Sequence, residues 1–308
     1  MQVLVTGGAG FVGTNLIKRL LRDGHNVVSI DNYSTGKREN EQEGCTYLEC
    51  GLEHMFERYE IAKFPDEFDK VLFGMYPELS EPDIIFHLAA IARIQPSFEH
   101  PVYTHHSNVT STLNLLDWAR GKKIPVVFAG SSSSNGDKFA NPYTLSKSQG
   151  EQLVELYNKV YDLPTVICRF YNVYGPHQLE DGAYATVLGI FRKQHSEGRP
   201  LTITGDGEQR RDFTHVDDIV DGLVKCGRSL LIPNAYNAKV SGEIFELGRG
   251  ENHSINEVAE MFGENYPTKY IPARKGEYDV TLADYSKAEK MLGWKPFIDL
   301  EDYVNEIC

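Results

Sequence analysis

Cysteine is scarce in this chain and poorly placed for cross-linking: Cys45, Cys50, Cys168, Cys226 and Cys308 are odd in number, scattered, and form no CxxC pair. That excludes a disulfide framework and a zinc knuckle and fits a reducing compartment. Also missing is any apolar run near the ~18 residues of a membrane helix. The opening MQVLVTGGAGFVG carries no basic leader and no cleavage pattern, so a cytoplasmic protein is expected. Positive charge is in deficit, with 31 Lys and Arg against 44 Asp and Glu and a formal net charge of −13. Such a chain repels phosphate backbones and anionic lipid at long range, which argues against nucleic-acid and membrane partners but leaves room for a local arginine pocket. There is no HExxH, Walker loop or GxSxG elbow. His105, His106 and His253 lack ligand spacing, so no metal is expected and these histidines read as satisfied structural ones. What remains is a 308-residue chain, 41% hydrophobic and 24% charged, without repeats or low-complexity tracts and able to bury a large core.

Strand-like and helix-like segments alternate from the start. Val3 to Thr6, a helix over Thr14 to Arg22 with Leu16, Ile17, Leu20 and Leu21 on one face, and Val27 to Ile30 make a βαβ unit. Further β-branched runs follow at Thr46 to Glu49, Ile84 to His87, Val126 to Ala129 and Thr165 to Arg169, separated by helical stretches such as Thr110 to Arg120 and Ser146 to Val160. This predicts an α/β fold with a doubly wound parallel sheet of the Rossmann type, whose ligand lies beyond the carboxyl ends of the strands. After about Gly175 the alternation fades into Gly- and Pro-interrupted segments. Residues 1–175 are therefore expected to form a dinucleotide-binding domain, and 176–308 mainly a smaller α/β substrate lobe with some segments returning to the first. Gly51 to Pro82, broken by Pro65 and Pro77, reads only as helix plus loop.

Three constellations carry chemistry. Gly7, Gly10 and Gly13 stand between a strand and an amphipathic helix with GxxGxxG spacing. The first permits a tight turn, the second lets a pyrophosphate reach backbone N–H groups at the positive helix end, and the third allows close packing. Asp31, at the end of the second strand, provides a carboxylate for the adenosine ribose hydroxyls and repels a 2′-phosphate, which favours NAD over NADP. Tyr143 and Lys147 are four apart behind Pro142, so both project from one helical face, where an ammonium favours the phenolate of a general base. Ser131 to Ser134 follow a strand directly, at the edge where a reacting hydroxyl binds. Arg211 and Arg274 in the second lobe suit a diphosphate as planar bidentate donors. Each feature alone has an ordinary alternative: a glycine turn, a solvated helix face, a polar loop, a surface cation.

Together these residues resemble the extended short-chain dehydrogenase/reductases, in the NDP-sugar epimerase branch around UDP-glucose 4-epimerase. The resemblance runs nearly end to end: TGGAGFVG at Thr6, DNYSTGKREN at Asp31, HLAA at His87, the serine run at Ser131, YTLSK at Tyr143, RFYNVYGP at Arg169, GDGEQRRDFTHVDD at Gly205 and DYSKAEKMLGW at Asp284. It implies an NAD-dependent enzyme that inverts C4 of a nucleotide sugar, UDP-linked, through a transient 4-keto sugar. It assigns the cofactor pyrophosphate turn to Phe11 and Val12 and the ribose contacts to Asp31 and Asn32. Leu88, Ala89 and Ala90 become the nicotinamide-side wall, Lys147 holds the nicotinamide ribose and Tyr171 lines the cofactor. Ser34, Thr35, Gly36 and Ser107 join the cofactor set. Ser131 is implied to bridge the sugar 4-OH, Ser133 to touch substrate and Tyr143 to act as base. Asn172, Arg211 and Arg274 meet the diphosphate or nucleotide, and Thr186, Val187, Thr202 and Glu277 complete the substrate set.

Other branches, the 4,6-dehydratases and the uronate decarboxylases, typically carry an acidic residue just after the equivalent of Ser131, where this chain has Ser132 and Ser133. Another reductase or dehydratase of nucleotide sugars and a catalytically silent NAD-binding regulator remain the alternatives. The position that narrows the sugar pocket falls on Thr281, so a pocket roomy enough for an N-acetylhexosamine or a uronate is expected. Two departures stand out: Ser134-Asn135-Gly136 lacks the usual aromatic beside the site, and Gly51 lacks the carboxylate that normally contacts adenine. A homodimer formed by helices of the first lobe is also implied.

Overall fold

A computed structural model describes residues 1–54, 81–232 and 240–308. Most of the Gly51 to Pro82 reading, including Pro65 and Pro77, lies outside the described residues. Seven parallel strands form the main sheet: β1 (Gln2–Thr6), β2 (Asn26–Asp31), β3 (Cys45–Glu49), β4 (Ile84–His87), β5 (Val126–Ser131), β6 (Thr165–Phe170) and β7 (Ile244–Leu247). Their order is β7-β6-β5-β4-β1-β2-β3, so the winding reverses between β1 and β4 and opens a crevice at their carboxyl ends. The six strands expected from β-branched runs are present, with ends shifted by a residue or two.

Both faces of the sheet are covered, which is why its strands read as unbroken apolar runs. In β1 the pleat sends Val3 and Val5 to one face and Leu4 to the other. The first face packs on α1 (Phe11–Arg22), through Leu16, Ile17 and Leu20, and on a helix far along the chain, Val216–Leu231, through Ile219 and Leu223. The second packs on α2 (Ser111–Lys122), through Leu115, Leu116 and Trp118, and on α3 (Pro142–Tyr161), through Val154 and Tyr157. Residues after 175 thus reach back into the first core by way of Val216–Leu231, β7 and the buried Trp294, whose indole N–H donates to the Asp218 carbonyl at 2.9 Å.

The remaining C-terminal segments build their own core around Phe191, Leu201, Ile203, Phe213, Val258 and Val304. Its helices are Val187–Ser196, Ile255–Met261 and Leu300–Ile307, and short strand pairs such as Leu201–Thr204 with Thr268–Ile271 hold them together. His253 lies 3.9 Å from Glu251 and 3.7 Å from Glu257, as a satisfied structural histidine would. His105 and His106 differ from expectation: both are exposed, because the helix Pro101–His105 turns Thr104 inward and its last residues out. Among the described residues no helix is long and apolar enough to cross a membrane.

Candidate active site

The glycine turn is built by crowding. Gly7 has φ of +74°, and a Cβ there would lie 2.8 Å from the Ala89 backbone nitrogen. A Cβ on Gly13 would lie 2.1 Å from the Gly7 carbonyl oxygen, so only hydrogen lets α1 press against the turn. Asp31 closes β2 and ties the turn to it: Oδ2 accepts from Ala9 N at 2.9 Å and Oδ1 from Tyr33 N at 2.8 Å. Burial pushes this carboxyl above its ordinary value, and the two N–H donors pull it back.

The turn opens into a cavity of about 490 Å³ that continues across the carboxyl edge of the sheet into the C-terminal lobe. Gly7, Gly10, Phe11, Val12, Gly13, Asp31, Asn32, Ser34 and Thr35 line one end, with Leu88, Ala89, Ala90, Ser107 and Tyr171 further in. Gly36 is the exception: it packs behind the turn, where a Cβ would sit 2.9 Å from that of Ala9, and does not reach the wall. Ser107 stands in a wide turn, His106–Thr110, and its buried hydroxyl has no partner within the protein. A glycine-rich turn at a helix N-terminus, a carboxylate at the second strand end and an unsatisfied hydroxyl in the wall fit an NAD-type dinucleotide. Beside Gly51, which lacks the expected carboxylate, the Glu53 carboxyl lines the cavity, 2.9 Å from where a Cβ of residue 51 would stand, and accepts from Asn32 Nδ2 at 3.4 Å.

Ser131, Tyr143 and Lys147 meet at the middle of this cavity. Ser131 ends β5, and its N–H donates to Glu151 Oε1 at 3.2 Å. The buried Glu151 in turn holds Arg169, at 2.7 Å. Helix α3 starts with Pro142 behind the Asn141 cap, which accepts from Thr144 N at 2.8 Å, and Ser97 Oγ accepts from Tyr143 N at 3.1 Å. The Tyr143 hydroxyl donates to Ser131 Oγ at 3.3 Å, and Ser131 and Ser133 hydroxyls lie 2.8 Å apart. Lys147 Nζ donates to the Ala129 carbonyl at 2.6 Å. Burial pushes the Tyr143 phenol up, opposed by its Ser131 hydrogen bond and then by the Arg93 guanidinium. The expected fall of the phenol is therefore absent, and Arg93 is a cation that favours its ionised form. Burial lowers Lys147 to about 8, with Glu151 opposing.

Asn172, Thr186, Val187, Thr202, Arg211, Arg274 and Glu277 line the other end of the cavity. Arg211 and Arg274 converge on one carboxylate, Glu277, at 3.7 and 3.8 Å. Thr281 is in the wall and its hydroxyl accepts from Asn172 Nδ2 at 3.1 Å. Asn135, which replaces an aromatic, bonds Tyr171 Oη at 2.9 Å and Glu246 at 2.7 Å; the Tyr278 ring crowds Gly136, 2.6 Å from a Cβ there, and lines the cavity beside the serines. Sequence reasoning missed Arg93, Glu151 and Tyr278. A search of residues just past the β4 end would have reached Arg93, and Glu151 lies one helical turn beyond Lys147.

The model of the NAD dependent epimerase/dehydratase family matches residues 3–239. The chain is 32% identical to a UDP-glucose 4-epimerase of Mycolicibacterium smegmatis, over 98% of this chain and 96% of that protein. It is 33% identical to a UDP-glucuronate 4-epimerase of Thermodesulfobacterium geofontis, over 97% of this chain and 92% of that one. Among solved structures, a UDP-glucuronic acid 4-epimerase of Bacillus cereus, in complex with UDP-glucuronic acid and NAD, superposes with a TM-score of 0.81 at 28% identity, over 99% of this chain and 97% of that chain.

Proposed function

The chain belongs to the NAD dependent epimerase/dehydratase family, and from that membership we propose that it is a nucleotide-sugar 4-epimerase acting on a UDP-hexose, UDP-N-acetylhexosamine or UDP-uronate. It is an NAD-dependent enzyme. The observation that carries the reading is the 3.3 Å contact between Tyr143 and Ser131 in the cavity that the glycine turn and Asp31 share.

A bound NAD would supply the acceptor for the C4 hydride of the sugar and its source on return to the opposite face. Tyr143, as the phenolate that its Ser131 hydrogen bond and the Arg93 guanidinium favour, accepts the 4-OH proton in the outward step and gives it back in the return, so no net proton or electron is gained. Ser131 holds the sugar oxygen beside that phenol and relays to Ser133. Lys147, held by Ala129, keeps a cation at the cofactor ribose side. Arg211 and Arg274 anchor the diphosphate in exchange for Glu277, and because those contacts avoid the sugar ring, the ring is free to turn over. Dehydration of the same substrate needs an acid or base beside Ser131, and Ser132 and Ser133 occupy those positions.

The test is incubation of the purified protein with UDP-glucose, UDP-GlcNAc and UDP-glucuronate and separation of the products. An epimer formed with no net consumption of NAD is expected. Tyr143→Phe should keep the cofactor and lose about 10²–10⁴ in rate. Retained NAD with no turnover of any nucleotide sugar would instead mark a silent regulator, and a dehydrated product a dehydratase.

A further inference from the structure

Among the described residues, one arginine in the cavity has no counter-ion. Arg93, six residues beyond β4, lies in the wall and spends its Nε–H on the Tyr184 carbonyl at 2.9 Å and one Nη1 hydrogen on the Ala92 carbonyl at 3.1 Å. Among the described residues both Nη2 hydrogens and the second on Nη1 have no protein partner, and no carboxylate pairs with the guanidinium. The contrast with its neighbours is informative: Arg211 and Arg274 share Glu277, so the diphosphate end is already partly neutralised by the protein. In a chain with 44 acidic residues, a cation left unpaired in a cavity marks a place where the ligand brings the charge.

The position of Arg93 fixes which part of the ligand that is. Arg93 opens the helix Ile94–Glu99, and Ser97 of that helix accepts from Tyr143 N at 3.1 Å, so the helix is docked on the first turn of α3, where the base sits. Its charge is felt at Tyr143 and by Arg274, which puts it on the sugar side of the diphosphate arginines. The reacting C4 of a hexose is flanked by C3, which carries a hydroxyl, and by C5, whose substituent is the one neighbour that can be a carboxylate. A planar fork of free N–H donors at that point matches a carboxylate and is wasted on a hydroxymethyl.

We propose that Arg93 binds the C5 carboxylate of a nucleotide-linked uronate and makes this chain prefer a UDP-uronate over the neutral UDP-hexose. This inference rests on the nucleotide-sugar epimerase reading above. Tyr184, whose carbonyl holds the guanidinium, precedes Thr186 and Val187, so the fork is braced from the C-terminal lobe. The remaining cavity cation, Lys147, is held by Ala129, and Lys275 stands over the Phe98 ring 5.5 Å away, so neither competes for the role.

The experiment compares kcat/KM for UDP-glucuronate and UDP-glucose in the wild-type protein and in Arg93→Gln and Arg93→Lys, each checked for NAD retention and melting temperature. The wild type is expected to favour the uronate at least tenfold. Arg93→Gln should cut the uronate-to-hexose ratio by about 10- to 100-fold, mainly through KM, as loss of a charged hydrogen bond does. Arg93→Lys should recover part of it. A wild type that epimerises UDP-glucose without favouring the uronate overturns the inference and leaves the epimerase reading intact. Equal losses on both substrates overturn it too, and assign Arg93 to the Tyr143 phenol instead. No turnover of either by the wild type overturns the inference, and no turnover of UDP-GlcNAc as well sinks the epimerase reading itself.

Discussion

At the scale of single residues, the crevice owes its properties to groups that the fold dehydrates. His87 ends β4 with Nδ1 2.7 Å from Thr6 Oγ1 and Nε2 3.0 Å from Thr112 Oγ1, and burial, with Lys147 nearby, lowers it to about 3. The unfolded chain holds this imidazole near 6.5, so below that pH the unfolded state takes up a proton that the native state refuses. The stability tied to a neutral His87 is thus whole above pH 6.5 and drains away as pH falls toward 3. His87→Asn should therefore lose about 2 kcal/mol less than the wild type between pH 7 and pH 5 in urea titrations. Parallel losses would mean that His87 has no such depressed value. Tyr143, Lys147 and Ser131 were legible in the sequence because a motif fixes their spacing. Arg93 was not, because its role depends on a carbonyl 91 residues away, and Glu53 was not, because a carboxylate beside Gly51 is visible only once the chain has turned back.

Elements show the same division. Strands buried on both faces announce themselves as β-branched runs, and six were read within a residue or two; β7 was missed because Glu246 interrupts it and only its inner side pairs, with β6. The wide turn at His106–Thr110 has no sequence signature, yet it is what carries Ser107 into the cavity. Helix α1 is set by a glycine whose reason is now physical: Gly13 faces the Gly7 carbonyl at 2.1 Å and the Gly8 Cα at 2.7 Å from an added Cβ, both backbone atoms that cannot rotate away. Gly13→Ala must push α1 off the turn. Overpacking of this kind costs about 1–3 kcal/mol, and the displaced helix end should weaken NAD binding at least tenfold by calorimetry. Unchanged affinity would show that the turn has slack the distances deny.

For the whole molecule, the division near residue 175 that we propose is a functional one, since Asp212 clasps the segments that frame the sugar pocket. This fully buried carboxylate accepts from Arg249 N at 2.7 Å, Gly250 N at 2.9 Å and Ala283 N at 3.0 Å, fixing Thr281 in the wall while β7 and Trp294 anchor the same stretch of chain on the first sheet. Outside, two neighbouring helices of the first lobe leave large apolar side chains in water: Leu113 on α2 and Leu156, Val160 and Tyr161 on α3 are 41%, 47%, 59% and 44% exposed. Side chains of this size left in water on adjacent helices are the material of a helix-bundle contact between two copies. We propose that the protein is a homodimer through this face. Leu156→Glu with Val160→Glu places like charges on both sides of such a two-fold contact, so sedimentation should show the double variant as a monomer where the wild type is a dimer. Because α3 also carries Tyr143 and Lys147, its activity should fall with dissociation while its NAD stays bound. A wild type that sediments as a monomer at micromolar concentration would leave these four residues as ordinary surface.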